Sequence, residues 1–313
     1  MLSSDFIKKI RRIQITTAHL VTDVFAGQYH SVFKGRGIEF EEVRTYIPGD
    51  EIRSIDWNVT ARTGHPHVKK FTEERELTVL ILLDVSSSCG FGSSGQLKSQ
   101  LAAEICSLLA FSAIKNNDKV GFLAFSDRVE KFLPPRKGTR HVLRVVREAL
   151  VQSAQENSSS HKSTNLADAL TYLLRVVKRS AVVFIISDFY SLKSQDPLPQ
   201  DTFPEFDFKR PLSVAGKKHD VIAMTLTDPR ELQLPEVGII RMEDAETGNS
   251  FFVDTTDASV REGFRRRALA WQNNRKRLFR SLGIDFIDIR ADQPYWKALI
   301  RFFQERERRM RSR

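Results

Sequence analysis

Asp84, Ser86 and Ser88 form the pattern D-x-S-x-S directly after the apolar run at 77–83, LTVLILL. A carboxylate and two hydroxyls alternating on one loop offer three hard oxygens to a small cation. That is the donor type Mg²⁺ selects, at roughly 2.0–2.1 Å and in near-octahedral geometry. Two more polar residues fall where the same chemistry would use them. Asp188 closes a second apolar run, AVVFII at 181–186, and Thr164 stands at the loop-to-helix junction one helix earlier. Together they would supply two carboxylates and three hydroxyls around one point. Mg²⁺ is the expected ion and Mn²⁺ the alternative. Each residue also has a plainer reading: Ser86, Ser88 and Thr164 as helix caps, and Asp188 as a turn former.

The elements that must bring these residues together are legible as short apolar runs. LTVLILL reads as a strand buried on both faces, of the parallel-sheet kind, with its polar end at the carboxyl end of a central strand. Further strands are expected at 120–125, at 129–133 (ended by Pro134 and Pro135), at 181–186, at 221–226 and at 284–289. Helical stripes fall between them, for example Leu97, Leu101, Ile105 and Leu108, or Leu166, Leu170 and Leu173. The segments 239–242 and 251–253 flank Glu246-Thr247-Gly248-Asn249, a hairpin signal. Strands alternating with helices specify an α/β fold with a doubly wound, mainly parallel sheet, in which acids at neighbouring strand ends converge on one crevice. The expected division is 76–313 for this domain with its C-terminal helix, and 1–75 for an N-terminal helix (Phe6, Ile10, Ile13, Leu20, Val24) and a small β-rich charged segment.

That charged segment carries Arg44, Asp50, Arg53, Asp56 and Arg62 around Pro48-Gly49 and Trp57. Two readings stand side by side. Acid–Arg pairs buried around the Trp would fix an irregular loop, with Asp50 capping the turn after Gly49. Alternatively, these five residues, with Ser87 at the metal loop, form a surface for a partner.

The chain has 313 residues and a formal net charge of +10, with 41% hydrophobic residues. A sizeable core is therefore expected. The basic excess is concentrated around Arg265, Arg266, Arg267, Arg275, Lys276 and Arg277 and in the last nine residues. A solvated helix face is the expected reading, ahead of nucleic acid or peripheral membrane contact. Two cysteines, Cys89 and Cys106, make neither a disulfide framework nor a thiolate site. There is no secretory h-region and no run near the roughly 18 apolar residues of a membrane span, so a cytoplasmic protein is expected. G-x-S-x-G, Walker A and G-x-G-x-x-G strings are lacking. His65 and His67 lack a third ligand. No enzyme is expected. The alternative is a metal-assisted phosphoester hydrolase on the same residues, for which a general base is missing.

D-V-S-S-S after a buried strand, then T-N-L opening a helix, then I-I-S-D-F, resembles a von Willebrand factor A-type domain. The metal-ion-dependent adhesion site of such domains carries over to Asp84, Ser86, Ser88, Thr164 and Asp188. R-T-Y-I-P-G-D at 44–50, I-D-W at 55–57 and T-A-R at 60–62 are similar to the bacterial domain-of-unknown-function family 58. The resemblance implies a non-enzymatic, metal-dependent protein-binding module whose cation is completed by a partner's Asp or Glu. It further implies an adaptor or assembly role beside a MoxR-type AAA+ ATPase or that ATPase's client.

Overall fold

The computed structural model describes residues 29, 32, 39–72, 76–154, 162–190 and 206–311. The expected helix over Phe6–Val24 lies outside the described residues. The strand expected at the centre is β3 (Thr78–Asp84), and it is buried from Val79 to Asp84. Its side chains alternate between two cores. Val79, Ile81 and Leu83 join one cluster, and Leu80 and Leu82 join the other. A strand with apolar groups on both faces must be covered on both faces, which is why its sequence lacks polar alternation.

β4 (Lys119–Phe125) and β6 (Val182–Ser187) pair with β3 on either side, both parallel. β7 (Asp220–Thr227) pairs with β6, and β10 (Asp285–Arg290) with β7, again in parallel. The six-stranded sheet has the order β10-β7-β6-β3-β4-β5, with β5 (Val129–Arg136) at the edge. One face is covered by α2 (Lys98–Lys115), α3 (Thr139–Ala154) and α8 (Tyr295–Arg311), through Leu101, Ile105, Val145, Leu299 and Phe303. The other is covered by α4 (Leu166–Val176), α5 (Lys209–Lys218) and α7 (Ala258–Ser281), through Leu170, Leu212, Trp271 and Phe279. This is the doubly wound α/β arrangement expected. The direction of winding reverses between β3 and β6, and the carboxyl ends of strands at such a reversal are where open α/β sheets place their ligands.

The structure departs from the expectations at three places. β5 (Val129–Arg136) runs through both prolines and pairs antiparallel with β4 at the sheet edge, half-buried instead of fully buried. An edge strand has one free side, where a missing N–H costs nothing. Trp57 is 66% exposed, so the buried acid–Arg cluster around it does not exist. Asp50 also caps differently. It accepts the Ile47 N–H of the preceding turn and pairs with Arg44 through both oxygens, at 2.8 and 2.6 Å. In the same segment Asp56 starts the short helix α1 (Trp57–Thr63) by accepting the N–H groups of Asn58 and Val59, and its ion-pair partner is Lys69, at 3.2 Å. Arg53 and Arg62 are exposed. β1 (Glu39–Thr45) and β2 (His67–Thr72) form a separate antiparallel pair. Phe33 and the side chains of Phe40 and Phe71 lie outside the described residues.

β8 (Ile239–Glu243) and β9 (Ser250–Asp254) form the expected hairpin, which pairs with no other described strand. The short helix α6 (Pro229–Leu232) comes directly after β7 and begins with a capping box between Asp228 and Glu231.

Candidate metal centre

Leu83 is in register with Ile186, so the next residues, Asp84 and Ser187, meet across the β3–β6 seam. The Ser187 hydroxyl donates to Asp84 Oδ2 at 2.5 Å, and the Ser86 N–H donates to Asp84 Oδ1 at 3.0 Å. The Ser86 and Ser88 hydroxyls are 3.1 Å apart. Asp84, Ser86 and Asp188 are all 1% exposed or less, and Thr164 is 7% exposed. Thr164 precedes α4, whose cap is its neighbour Asn165, accepting from the Asp168 N–H. The capping alternative for Thr164 is thereby taken by another residue, and Ser86 makes no side-chain cap for the turn it precedes. Ser87 differs from its neighbours. Its N–H and hydroxyl both bond the backbone of Lys162, which ties the β3 loop to the segment leading into Thr164.

Asp188 is aimed by strain and packing. Phe189 comes next with φ +60°, a left-handed conformation unusual for a bulky residue. The Phe189 N–H bonds Ser187 Oγ at 2.8 Å, while its ring is fully buried against Phe208 and Phe279. The packing holds a backbone that costs on the order of 1–3 kcal/mol. The Tyr190 N–H then bonds Asp188 Oδ1 at 3.2 Å.

Several groups at this site are ones that the sequence does not single out. Lys98, at the start of α2, is fully buried and donates to Asp188 Oδ2 at 2.9 Å and to Glu231 Oε1 at 2.5 Å. Arg275 lies within the basic stretch expected to be solvated. It is 2% exposed and donates to the Asp188 carbonyl at 2.6 Å. Asp228 follows β7 directly and accepts both the N–H and the hydroxyl of Ser93, pinning the Gly/Ser loop after β3. The strand-end rule that pointed to Asp84 and Asp188 also reaches Asp228. Finally, Glu246 at the hairpin tip accepts from Thr164 Oγ1 at 3.0 Å.

The electrostatics arise from this crowding. Burial, and then the charge of nearby Asp188, push Asp84 up to about 6 against the pull of its hydrogen bonds. Burial also opposes ionisation of Asp188, but Lys98 overcomes it and holds Asp188 below the usual carboxylate range. Burial, with the charges of Asp188 and Asp84, raises Glu246 to about 7 despite the Thr164 bond. Burial raises Glu231 as well, although Lys98 opposes it.

The donor set fits a divalent cation. Asp84 Oδ1 accepts the Ser86 N–H and Asp84 Oδ2 the Ser187 hydroxyl, while Asp188 Oδ1 accepts the Tyr190 N–H and Asp188 Oδ2 the Lys98 ammonium. A carboxylate oxygen accepts about two such bonds, so lone pairs remain for an ion. Asp188 and Glu231 share the buried Lys98 ammonium, while Asp84 has no ion-pair partner among the described residues. Among the described residues no three His, Cys, Asp or Glu side chains group as metal ligands. The site therefore depends on hydroxyls to complete two carboxylates, as Mg²⁺ tolerates and soft metals do not.

The family described as "Protein of unknown function DUF58" matches residues 42–274. The chain belongs to this family. Uncharacterized protein Rv1480 of Mycobacterium tuberculosis is 29% identical to this DUF58 chain over 301 residues, covering 96% of this chain and 89% of the relative. Uncharacterized protein YeaD of Bacillus subtilis is 26% identical over 109 residues, 35% of this chain and 25% of that protein. Similar solved structures include BatB from Bacteroides thetaiotaomicron, at 16% identity and TM-score 0.40, covering 74% of this chain and 99% of that one. The SpRpn10 VWA domain is another, at 9% identity and TM-score 0.36, covering 72% and 94%. No helix among the described residues is long and apolar enough to cross a membrane.

Proposed function

We propose that this DUF58 protein is a cation-dependent protein-binding module, with Asp84, Ser86, Ser88, Thr164 and Asp188 as the residues that hold the ion. The observation that carries this reading is the meeting of two buried carboxylates and the Ser86–Ser88 hydroxyl pair at the reversal point of the sheet. Mg²⁺ bound there supplies a compact double charge that a partner's Asp or Glu can complete. The chain's own residues do the rest. Lys98 and the Tyr190 N–H orient Asp188, Ser187 orients Asp84, and Ser87 holds the β3 loop against the segment that carries Thr164. The partner in this reading is a MoxR-type AAA+ ATPase or its client. Arg44, Asp50, Arg53, Asp56 and Arg62 are a second candidate surface; of these, Arg53 and Arg62 are exposed.

Pull-down of a MoxR-type ATPase with the wild-type chain in Mg²⁺, in EDTA, and with Ser86→Ala/Ser88→Ala tests the reading. Recovery is expected in Mg²⁺ with wild type alone. Equal recovery in all three arms would remove the metal site from the interface and leave the β1–β2 segment as the candidate. The hydrolase alternative needs a general base beside an attacking water. In that reading Glu246 would have to be the base, and its carboxylate is engaged by the Thr164 hydroxyl. Turnover of a generic phosphoester in Mn²⁺, lost in Asp84→Ala, would favour the enzyme.

A further inference from the structure

The two edges of the six-stranded sheet are finished differently. At one edge β5 carries Pro134 and Pro135, which cannot donate to a further strand. At the other edge β10, reading DFIDIR, has no proline, and its one strand neighbour among the described residues is β7. The start of β10 opens into a groove of about 710 Å³ between the end of α7 and the second half of α8. Its apolar walls are Ile284 and Phe286 on the α7 side and Phe302 on the α8 side. Its acids are already engaged. Asp285 pairs with Arg306 and Arg309, at 2.9 Å each, and Glu305 pairs with Arg301 at 2.8 Å. Two cations are left over. Arg280, whose guanidinium carbon is 5.9 Å from the centre of the Phe286 ring, and Arg308 are both exposed and have no acid partner among the described residues. The groove lies at the amino ends of the parallel strands, whereas Asp84 and Asp188 lie at their carboxyl ends, so it is separate from the candidate metal centre.

We propose that this groove is a docking site for an acidic, extended segment of a partner protein, added to the sheet as a strand beside β10. An edge strand presents backbone donors and acceptors in a row, and strand addition uses them for affinity while side-chain pockets set specificity. Neighbouring residues of a strand point to opposite faces of the sheet. A pair of adjacent acids in the segment would therefore meet Arg280 on the α7 side and Arg308 on the α8 side. Apolar residues flanking the pair would cover Phe286 and Phe302. Charge selects this occupant over a second copy of the chain. Pairing two β10 edges would bring two sets of Arg280 and Arg308 together, and like charges set against each other across an interface are costly.

The test uses the full chain in EDTA, which keeps it independent of the metal-site reading. The probe is a pool of fluorescent peptides of about six residues, the usual strand length, with two adjacent acids at the centre and Val, Ile, Phe or Thr elsewhere. Two control pools carry Lys-Lys in place of the acids, or the same acids on an N-methylated backbone that cannot pair as a strand. Anisotropy reads affinity, and amide hydrogen exchange over 284–290 reads strand addition. The acidic pool is expected to bind with a dissociation constant below about 1 mM and to slow exchange over 284–290, and neither control pool should do so. Arg280→Glu/Arg308→Glu, checked for folding by far-ultraviolet dichroism, should weaken binding on the order of tenfold, and the milder Arg280→Gln/Arg308→Gln by less. Absence of binding, equal binding by the charge-reversed variant or by either control pool, or unchanged exchange over 284–290 would overturn the proposal. Sedimentation as a dimer, with 284–290 protected before any peptide is added, would assign the edge to a second copy and overturn it equally.

Discussion

Lys98 is the residue on which the charge balance of the pocket turns. An ammonium buried completely is stable only if its partners stay ionised, and Asp188 and Glu231 are those partners. Burial works against its charge, yet the two acids, Asp188 foremost, raise its pKa above the ordinary value. Removing it as Lys98→Met leaves two acids buried without their counter-charge, and breaking a buried pair in this way costs roughly 3–5 kcal/mol. A lowered denaturant midpoint with unchanged slope is the expected observation. Asp84→Asn is the contrast. It removes a carboxylate that burial and Asp188 both disfavour, and an amide can still accept from Ser86 and donate to a neighbour. In EDTA this variant should be as stable as wild type or more so, while losing Mn²⁺ binding. Large destabilisation of Asp84→Asn in EDTA would show that the aspartate is needed by the fold and not by an ion.

The elements position this pocket through close approach of strands, and β4 shows how close. A Cβ on Gly121 would stand 2.5 Å from Leu80 Cδ1 on β3 and 2.9 Å from Pro135 Cγ on β5. Gly121→Ala should therefore cost about 1–3 kcal/mol, the range for overpacking a filled core, read again from the denaturant midpoint. At the end of α5, His219 is 4% exposed and neither ring nitrogen has a hydrogen-bond partner among the described residues. Burial, and then Lys218, lower its pKa. A histidine whose folded pKa is depressed contributes stability above its unfolded value of about 6.5, and that stability is lost as pH falls through the folded value. Stability of wild type should decline on acidification through this range, and His219→Leu should flatten part of the decline. A His219→Leu curve parallel to wild type would contradict it. These elements also show what sequence could and could not tell. β3, β6 and the hairpin were readable because an apolar run or a turn signal is local. The five candidate residues stand out in sequence because they lie at strand ends or at the approach to a helix, and the ion they would hold is a proposal. Lys98, Arg275 and Glu246 were not, because a lysine in a helix, an arginine in a basic stretch and a glutamate in a turn all resemble solvated residues. Only the tertiary fold brings the buried Asp188 carboxylate to Lys98, the Asp188 carbonyl to Arg275 and Thr164 to Glu246. Trp57 failed in the opposite direction: an aromatic among charges suggests a small core, and the ring points outward.

At the scale of the whole molecule, the candidate ligands are spread from Asp84 to Asp188, at and after the end of β3, on the approach to α4 and directly after β6. No short stretch of unfolded chain can gather them, so an ion that binds them binds the folded state alone. Its binding energy is then folding stability. At about 100 times its dissociation constant it adds roughly 2.7 kcal/mol. For a domain of this size, each kcal/mol moves the melting temperature by about 2–4 °C. Mn²⁺ should therefore raise the Tm of wild type by several degrees, and leave Asp84→Asn and Asp188→Asn unmoved. The net charge of +10 sharpens the comparison. A basic surface has no general appetite for divalent cations, so nonspecific binding to the folded chain is a weak competitor for the effect. The two variants alter the same pocket with opposite consequences for the metal-free protein. Asp84→Asn relieves repulsion, whereas Asp188→Asn takes a counter-charge from Lys98. Their baselines in EDTA should separate, with Asp188→Asn melting lower, while their responses to Mn²⁺ coincide at zero. A Tm rise in either variant equal to that of wild type would place the ion elsewhere on the molecule.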